Sequence, residues 1–255
     1  MSPVLKGKVA VITGAGRGLG KEFALKYAEE GAKLFLPDIS LERAEATAKE
    51  IKAKGGEAYA MEADISKEES TQKMAEAVIK RYGKVDVLVN NAAIWYGLNA
   101  APWDTWKKED FDRIFAVNVT GSFLCCKAIA PHMVKAGKGK IINIASNVAR
   151  VPAAAYFLPY SCSKGAVYTL THALAKALGA SGVNVNAIAP GYTASEASLN
   201  QQGADQTFQL ATSEQSIKRR LQPGDMIGTA VFLASDASDM ITGQVIYVDG
   251  GTVTL

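Results

Sequence analysis

The stretch KVAVITGAGRGLG, residues 8–20, combines an apolar run with a glycine-rich turn. Its first six residues are typical of a strand that is buried on both faces of a parallel sheet. A helical pattern begins at residue 19, directly after the turn. This order places free backbone N–H groups and the positive end of a helix dipole where a phosphate would bind. The residues predicted to form this phosphate-binding turn are Gly14, Arg17, Gly18, Leu19 and Gly20.

The same alternation of apolar runs and amphipathic stretches continues along the chain and indicates βαβ units. Strands are predicted at residues 8–13, 34–36, 58–61, 85–89, 140–144, 183–188 and 244–248. Helices are predicted near residues 19–30, 41–54, 67–82, 108–130, 160–179 and 224–235, and Pro131 should end or kink the fourth of them. The pattern predicts an α/β fold of the Rossmann type, doubly wound, with a seven-stranded parallel sheet and helices on both faces. Residues 1–255 should form a single domain.

Charge and composition limit the classes of molecule that this chain is expected to bind. The net charge is +3 and no run of like charge occurs, which argues against nucleic acid or a membrane surface and favours a small-molecule partner. The N-terminus carries no apolar stretch of signal-peptide length, so a cytoplasmic location is expected. Cys125, Cys126 and Cys162 are odd in number, and neither they nor His132 and His172 have metal-ligand spacing. Reduced thiols and no metal site are therefore expected.

An acidic residue at the end of the second strand bears on which dinucleotide would bind. Asp38 lies 18 residues beyond Gly20, near the spacing at which an acidic residue reaches the adenosine ribose. At roughly 4 Å a carboxylate would repel a 2′-phosphate by about 4 kcal/mol per charge, so NAD is predicted rather than NADP. An alternative role for Asp38 is to cap the following helix, and Arg17 is a competing signal because it could approach a 2′-phosphate. No basic residue follows at Ile39 or Ser40.

Four polar residues suggest proton and hydride chemistry. Tyr160 and Lys164 are four residues apart on a predicted helix and share one face. A tyrosine needs its pKa lowered to act as a base near neutral pH, and a nearby ammonium with an oxidised nicotinamide can do this. Ser146 ends the fifth strand, where its hydroxyl could polarise a carbonyl or merely stabilise a turn. Asn118 could order a water for proton relay, or be a core amide that bends its helix.

These motifs together resemble the short-chain dehydrogenase/reductase superfamily over essentially the whole chain. The matching segments are residues 13–20, 90–93, 160–164 and 190–191. The resemblance implies a catalytic tetrad of Asn118, Ser146, Tyr160 and Lys164, with Lys164 also binding the nicotinamide ribose. It implies further cofactor contacts from Ile39, Asp64, Ile65, Asn90, Asn91, Ala92, Pro190, Gly191, Thr193 and Ser195. It also implies a homotetramer, with residues 248–255 as a subunit-contact tail.

Three long loops, near residues 93–107, 147–159 and 190–222, should surround the substrate, because long ordered loops at strand ends are often functional. The candidate substrate residues are Trp95, Ser146, Arg150, Tyr156, Tyr160, Tyr192 and Phe208. The aromatic members predict an apolar, aromatic or cyclic alcohol/ketone pair, and the chain is similar to bacterial NAD-dependent secondary-alcohol dehydrogenases. Arg150 would instead recognise a carboxylate or sulfonate.

Two other functions fit the same residues. One is an NADPH-dependent 3-oxoacyl reductase, which Arg17 supports and Asp38 opposes. The other is a non-catalytic nucleotide-sensing or scaffold protein on the same fold, because a fold does not determine a function. The intact set of Asn118, Ser146, Tyr160 and Lys164 argues against this second alternative.

Overall fold

The structure is a computed structural model that describes residues 3–254. In this part of the chain seven strands form one parallel sheet in the order β3-β2-β1-β4-β5-β6-β7. The strands are β1 Val9–Ile12, β2 Lys33–Asp38, β3 Glu57–Glu62, β4 Val87–Asn90, β5 Gly139–Ile144, β6 Val183–Pro190 and β7 Val245–Val248. The predicted doubly wound parallel sheet is confirmed.

Helices cover both faces of this sheet, and the described residues form two main apolar layers. The helices are α1 Gly18–Glu29, α2 Leu41–Ala53, α3 Glu68–Tyr82, α4 Lys108–Phe115, α5 Ser122–Ala136, α6 Leu158–Leu178, α7 Glu196–Leu199, α8 Ala204–Glu214 and α9 Ile227–Ala234. Successive strand residues point to opposite faces. Ile12 therefore packs in one layer with Tyr27 of α1, whereas Val11 packs in the other with Met74 of α3 and Ile129 of α5.

The fourth predicted helix is interrupted rather than continuous. Between α4 and α5 the backbone forms a π-helical turn over Ala116–Gly121, and Asn118 lies within it. π-helical turns are rare and occur often at functional sites. The sequence pattern could not separate this turn from a regular helix, because the apolar residues on either side keep a helical period.

Pro131 does not end the helix, because α5 continues past it to Ala136, and the C-cap residue Gly137 adopts a left-handed conformation. A proline inside a helix costs about 3 kcal/mol. Ile129 and Met133 are both fully buried beside it, and their burial offsets a cost of this size. By length and composition, residues 108–136 could also cross a membrane, but 56% of their most apolar window is buried in the fold.

The carboxyl ends of the strands form the edge where a ligand would bind. β1 lies between β2 and β4, so the chain leaves it in one direction and later returns on its other side. Such a switch point opens a crevice between neighbouring loops in a doubly wound sheet. The glycine turn, Asn91 and Ser146 follow strands at this edge, and Asp38 is the last residue of β2.

Candidate active site

A cavity of about 740 Å³ lies at the carboxyl edge of the sheet. It is lined by residues from both ends of the predicted site, the glycine turn and the start of α6. The predicted site residues that line it are Gly14, Arg17, Gly18, Leu19, Asp38, Ile39, Asp64, Ile65, Asn91, Ala92, Trp95, Ser146, Tyr156, Tyr160, Lys164, Pro190, Gly191, Tyr192, Thr193 and Ser195. The remaining predicted residues, Gly20, Asn90, Asn118, Arg150 and Phe208, lie outside the lining.

The turn after β1 is shaped to accept an anion. Gly18 has φ +56°, and a Cβ built on it would meet no described atom within 4 Å, so the space before it is open. Arg17 is the N-cap of α1, and its side chain does not cap the helix within the described structure. The first N–H groups of α1 are therefore available to a phosphate.

Gly20 lies where α1 packs against the glycine turn. A Cβ on Gly20 would lie 2.3 Å from the carbonyl oxygen of Gly14 and 2.4 Å from Nδ2 of Asn91. Glycine is needed there because the helix approaches the turn so closely that no side chain fits. Gly20 lies outside the cavity lining, and its contact with a cofactor stays a prediction.

Asn91 ties the end of β4 to the glycine turn. Its Nδ2 donates to the carbonyl oxygens of Thr13 at 2.9 Å and Gly14 at 3.1 Å. In return, Oγ1 of Thr13 accepts the backbone N–H groups of Asn91 and Ala92, each at 3.0 Å. These reciprocal bonds fix the turn before any ligand binds.

Asn90, the neighbour of Asn91, does not face the cavity. Its Nδ2 donates to Oδ1 of Asn143 at 2.9 Å and to Sγ of Cys126 at 3.2 Å, and the residue is buried. Adjacent residues at a strand end point in different directions, so only one of the two asparagines can reach the ligand side. The assignment of Asn90 to cofactor binding is therefore corrected to an inter-strand contact.

Asp38 forms a buried acidic corner of the cavity and is only 5% exposed. Its carboxylate accepts the N–H groups of Gly16 and Ser40, both at 2.9 Å, and Nη2 of Arg43 lies 3.4 Å away. The cap of α2 is Ser40, whose hydroxyl accepts the N–H of Arg43, so Asp38 is not the helix cap. Its carboxylate instead lines the cavity.

Two arginines lie near this end of the cavity. Arg43 also lines the cavity and was missed by sequence reasoning, although its place in the first turn of α2 lets its side chain reach back to Asp38. Its Nε is buried without a hydrogen-bond partner among the described residues. Arg17 stacks on the ring of Tyr96, with 3.2 Å between its Cζ and the ring centroid, and its position is thus set by the loop after β4.

These observations fit a nicotinamide dinucleotide. The open space before Gly18 and the free N–H groups of α1 suit a pyrophosphate, and Asp38 is an acceptor at the position expected for a ribose. Asp64 and Ile65 line the same cavity beyond β3, with Oδ1 of Asp64 accepting the hydroxyl of Ser66 at 2.7 Å.

Tyr160 and Lys164 lie in the first turns of α6 and are both buried. Nζ of Lys164 donates to the carbonyl oxygen of Ile144 at 2.7 Å, and burial lowers the pKa of Lys164 to about 8. Burial raises the pKa of Tyr160, while the adjacent Ser146 hydroxyl acts in the opposite direction. In the protein alone the Tyr160 phenol is therefore protonated at neutral pH and is a proton donor.

Ser146 combines a turn contact with an available hydroxyl hydrogen. Its Oγ accepts the N–H of Val148 at 3.2 Å and caps the short helical turn Asn147–Arg150. Accepting this bond leaves the hydroxyl proton free to donate to a ligand. The turn role and the catalytic role are thus compatible at Ser146.

Asn118 connects two parts of the site from behind the cavity wall. Its Oδ1 accepts the N–H of Ile94 at 2.7 Å, and its Nδ2 donates to Oγ of Ser163 at 3.0 Å. The residue is 1% exposed. The π-helical turn directs this side chain between the loop after β4 and α6, and its groups bond to both. Its contact with a relay water stays a prediction.

An aromatic wall adjoins the phenol of Tyr160. The ring of Trp95 lies 4.7 Å from the ring of Tyr160, 5.3 Å from Phe157 and 6.4 Å from Tyr192, centroid to centroid. Nε1 of Trp95 donates to Oγ of Ser198 at 3.3 Å, which orients the indole. The substrate end of the cavity is therefore largely apolar beside the proton-transferring group.

Two predicted substrate residues are corrected. Phe208 is 1% exposed and packs against Tyr192 with centroids 4.5 Å apart, so it supports the wall from outside the lining. Arg150 is exposed on its helical turn and does not line the cavity. Recognition of a substrate carboxylate by Arg150 therefore loses its basis, since a cation must reach the cavity to pair with an anion there.

Asn147 and Asp249 are cavity residues that sequence reasoning missed. Nδ2 of Asn147 donates to Oδ2 of Asp249 at 3.2 Å, and both residues are buried and line the cavity. They are 102 residues apart in the chain, so no local motif could signal the contact. Within the described residues, no group of three or more His, Cys, Asp or Glu side chains could hold a metal ion.

Comparison with known proteins agrees with this geometry. A family model described as enoyl-(acyl carrier protein) reductase matches residues 14–253. The chain is 38% identical over 247 residues to (2S)-[(R)-hydroxy(phenyl)methyl]succinyl-CoA dehydrogenase subunit BbsD of Thauera aromatica, covering 97% of each chain. It is 35% identical over 253 residues to a 3-oxoacyl-[acyl-carrier-protein] reductase of Thermotoga maritima, covering 98% of this chain and 99% of the relative.

Solved structures give the same result. A gluconate 5-dehydrogenase from Burkholderia cenocepacia, in complex with NADP and tartrate, superposes with a TM-score of 0.90 at 33% identity, covering 98% of this chain and 97% of the other. This chain belongs to the short-chain dehydrogenase/reductase family. It is an oxidoreductase that acts on CH–OH groups, in a family that binds a nicotinamide cofactor.

Proposed function

We propose that this chain interconverts a secondary alcohol and its ketone with NAD(H), and that its substrates are apolar, aromatic or cyclic. The observation that carries the proposal is the arrangement of one cavity, with the buried Asp38 carboxylate among its lining residues and the ring of Trp95 packed against that of Tyr160 in its wall, at an interplanar angle of 44°. The Asp38 carboxylate bears on the choice between NAD and NADP, and the contact of Trp95 with Tyr160 bears on the kind of substrate.

A bound nicotinamide supplies or accepts the hydride in this reaction. The Ser146 hydroxyl donates a hydrogen bond to the substrate oxygen, which carries negative charge as the hydride moves. Tyr160 gives its phenolic proton to that oxygen during ketone reduction and takes the proton back during alcohol oxidation. Lys164, anchored on Ile144, is an ammonium below about pH 8 and stabilises negative charge on the phenol.

The NAD preference is supported by charge near the adenosine end. A 2′-phosphate would approach a carboxylate that is buried and therefore weakly screened. Arg17, the competing signal in the sequence, stacks on Tyr96, and the ion pair of Asp38 is with Arg43 instead. The cation nearest the acidic corner is thus already paired.

The substrate preference is supported by the aromatic wall around Tyr160. Trp95, Phe157 and Tyr192 offer flat apolar surface next to the reacting oxygen, which suits an aryl or cyclic ring. The relative from Thauera aromatica is named for a substrate that carries a hydroxy(phenyl)methyl group. This name is consistent with an aromatic secondary alcohol.

The second candidate is an NADPH-dependent 3-oxoacyl reductase. Arg43 favours it, because its guanidinium lines the cavity beside Asp38 and could pair with a 2′-phosphate if the carboxylate moved. The 3-oxoacyl reductase of Thermotoga maritima is a relative over nearly the whole chain.

We also propose that the protein is a cytoplasmic homotetramer. β7 lies at the edge of the sheet, and its residues Val245–Val248 are all partly exposed although three of the four are aliphatic. An exposed apolar edge strand is a template for pairing with another chain. The predicted contact tail continues to Leu255, which lies outside the described residues, as do Met1 and Ser2 at the other end. Sedimentation should give the mass of four chains, whereas a monomer would contradict the assembly.

The test of the proposed function measures the absorbance of reduced nicotinamide with NAD and, separately, NADP. The substrate panel contains aryl, cyclic, sugar and acid-bearing secondary alcohols, together with a 3-oxoacyl thioester, and Tyr160→Phe is the control. We expect NAD-dependent oxidation of neutral aryl or cyclic alcohols that is lost in the control. NADPH-dependent reduction of the thioester alone would favour the second candidate. Stoichiometric NADH binding without any turnover would favour a non-catalytic role.

A further inference from the structure

Three residues of α6 form a stripe that faces the end of β5. Tyr160, Lys164 and Tyr168 are spaced four residues apart, so they lie on one helix face, and all three are buried. Lys164 donates to the carbonyl oxygen of Ile144, and the hydroxyl of Tyr168 donates to the carbonyl oxygen of Ser146. Helix α6 therefore holds the backbone on both sides of Ala145, and the second contact is on the catalytic serine itself.

The packing around Tyr168 fixes its ring and so holds its hydroxyl at the carbonyl oxygen of Ser146. Its side chain packs with Ala145, Ala187 and Ala189, and its ring meets the edge of Tyr247 with centroids 6.1 Å apart at 86°. Burial raises the pKa of Tyr168, so the phenol remains a donor through the neutral range. A buried hydroxyl is costly without a partner, and the Ser146 carbonyl provides one.

Ser146 depends on such a contact because it lies beyond the regular sheet. β5 ends at Ile144, and the N–H of Ala145 makes a further bond to the carbonyl oxygen of Ile188 at 2.8 Å. From Ser146 onward the chain leaves the strand and enters a short helical turn. A displacement of about 1 Å at a catalytic hydroxyl can cost up to about a hundredfold in rate, so the orientation of this peptide matters.

We propose that Tyr168 is a positioning residue, which holds the Ser146 peptide so that the Ser146 hydroxyl meets the substrate oxygen. Tyr168 lies outside the cavity lining, so it acts through Ser146 and not by touching the ligand. The inference rests on the proposed function, in which Ser146 donates to that oxygen. It adds a third functional residue to the stripe that begins with Tyr160 and Lys164.

The experiment compares Tyr168→Phe with a matched control, Tyr27→Phe. Tyr27 also donates a buried hydroxyl to a carbonyl oxygen, that of Ala230 at 2.7 Å, but it lies between α1 and α9. The same chemical group is thus removed in both variants. We expect kcat to fall about tenfold in Tyr168→Phe with unchanged NADH affinity, and to stay at the wild-type value in Tyr27→Phe.

A double-mutant cycle shows whether the effect passes through Ser146. In a Ser146→Ala background Tyr168→Phe should reduce kcat by no more than about twofold, because the group it positions is already absent. An equal loss in both backgrounds would mean that Tyr168 supports the fold generally, and would overturn the proposal. So would an equal loss in the two Tyr→Phe variants, or no loss in either.

Hydrogen exchange gives a measurement that does not depend on turnover. Amides of residues 146–150 should exchange faster in Tyr168→Phe than in wild type and remain unchanged in Tyr27→Phe. Unchanged exchange in Tyr168→Phe would overturn the positioning role even if kcat fell. If the wild type oxidises no alcohol on the panel, the proposed function fails, and this exchange measurement still decides whether Tyr168 holds the Ser146 peptide.

Discussion

Replacing Asp38 by alanine should change the preference between NAD and NADP. The carboxylate accepts three donors, from Gly16, Ser40 and Arg43, and the variant removes the acceptor for all of them. Arg43 then loses its ion-pair partner at the cavity wall. The net charge of this corner rises from about zero to about +1, which favours a 2′-phosphate and removes an acceptor for a ribose hydroxyl.

The expected magnitude is the sum of two effects. Two unit charges at about 4 Å interact by about 4 kcal/mol at an effective dielectric of 20. Removing the carboxylate relieves NADP of this repulsion, about 4 kcal/mol, because the attraction of Arg43 for the phosphate is present in both proteins. Loss of a charge-assisted hydrogen bond costs NAD about 1.5 kcal/mol. Together these give about 5.5 kcal/mol, or roughly a ten-thousandfold change in the ratio of kcat/KM values.

The assay measures kcat/KM for NAD and for NADP with one saturating alcohol. Three proteins are compared: the wild type, Asp38→Ala and the double variant Asp38→Ala with Arg43→Ala. The single variant should shift the ratio toward NADP by roughly ten-thousandfold, and the double variant should lose most of the gain for NADP while keeping the loss for NAD.

Three results would refute this reasoning. A wild type that prefers NADP would show that Asp38 does not repel a 2′-phosphate. A ratio that changes less than about threefold in Asp38→Ala would show that the carboxylate does not contact the ribose. A double variant with the same NADP kinetics as the single variant would remove Arg43 from the explanation.

Three further variants test the catalytic and structural roles. Tyr160→Phe should lower kcat by about a hundredfold to ten-thousandfold while NADH still binds, as measured by turnover and by fluorescence titration; retained turnover would exclude Tyr160 as the proton donor. Burial lowers the pKa of Lys164 from 10.5 to about 8, so between these pH values the unfolded chain binds a proton that the folded chain lacks. Stability therefore rises with pH in this window, and urea unfolding should show Lys164→Met more stable than wild type at pH about 7 but not at pH about 10.5. Gly20→Ala should lower the free energy of unfolding more than Gly18→Ala does, because a Cβ at Gly20 would lie 2.3 Å from the Gly14 carbonyl oxygen, whereas Gly18→Ala adds only the strain of its left-handed backbone; equal losses of stability in urea unfolding would contradict this packing.

The sequence was sufficient for features that rest on local patterns. Strands buried on both faces produce continuous apolar runs, and all seven described strands overlap their predicted positions, including the partly exposed edge strands β3 and β7. The glycine turn, Tyr160 and Lys164 were found because their spacing is itself the chemical requirement. Each of these lines the cavity as a consequence of which strand end or helix turn it occupies.

Other features depend on contacts between distant segments and could not be read from the sequence. Arg150 and Phe208 have residue types that suit a ligand, but exposure and packing direct them away from the cavity. Asn147 gave no signal, because its partner Asp249 comes from the other end of the chain. Tyr168 has the sequence pattern of an ordinary aromatic residue on a helix, and its contact with the carbonyl oxygen of Ser146 follows only from the packing of α6 against the end of β5.

Local rules also failed where tertiary packing is stronger. Pro131 should have interrupted α5, yet the helix is held by buried neighbours on either side. The direction of the Asn118 side chain depends on a π-helical turn that periodicity does not reveal. In both cases the backbone conformation follows from the sheet against which the helix packs.

The π-helical turn at Ala116–Gly121 also has a consequence for the tolerance of this helix to deletions. A π-helical turn amounts to one extra residue accommodated within an α-helix. Removing one residue from an ordinary helix rotates everything after it by about 100°, because each residue turns the helix by that amount. Removal of one residue from this turn could instead be absorbed by conversion to regular helix, with α5 keeping its apolar face on the sheet. A single deletion there would detach Asn118 from Ile94 and Ser163 yet leave the rest of the fold in register.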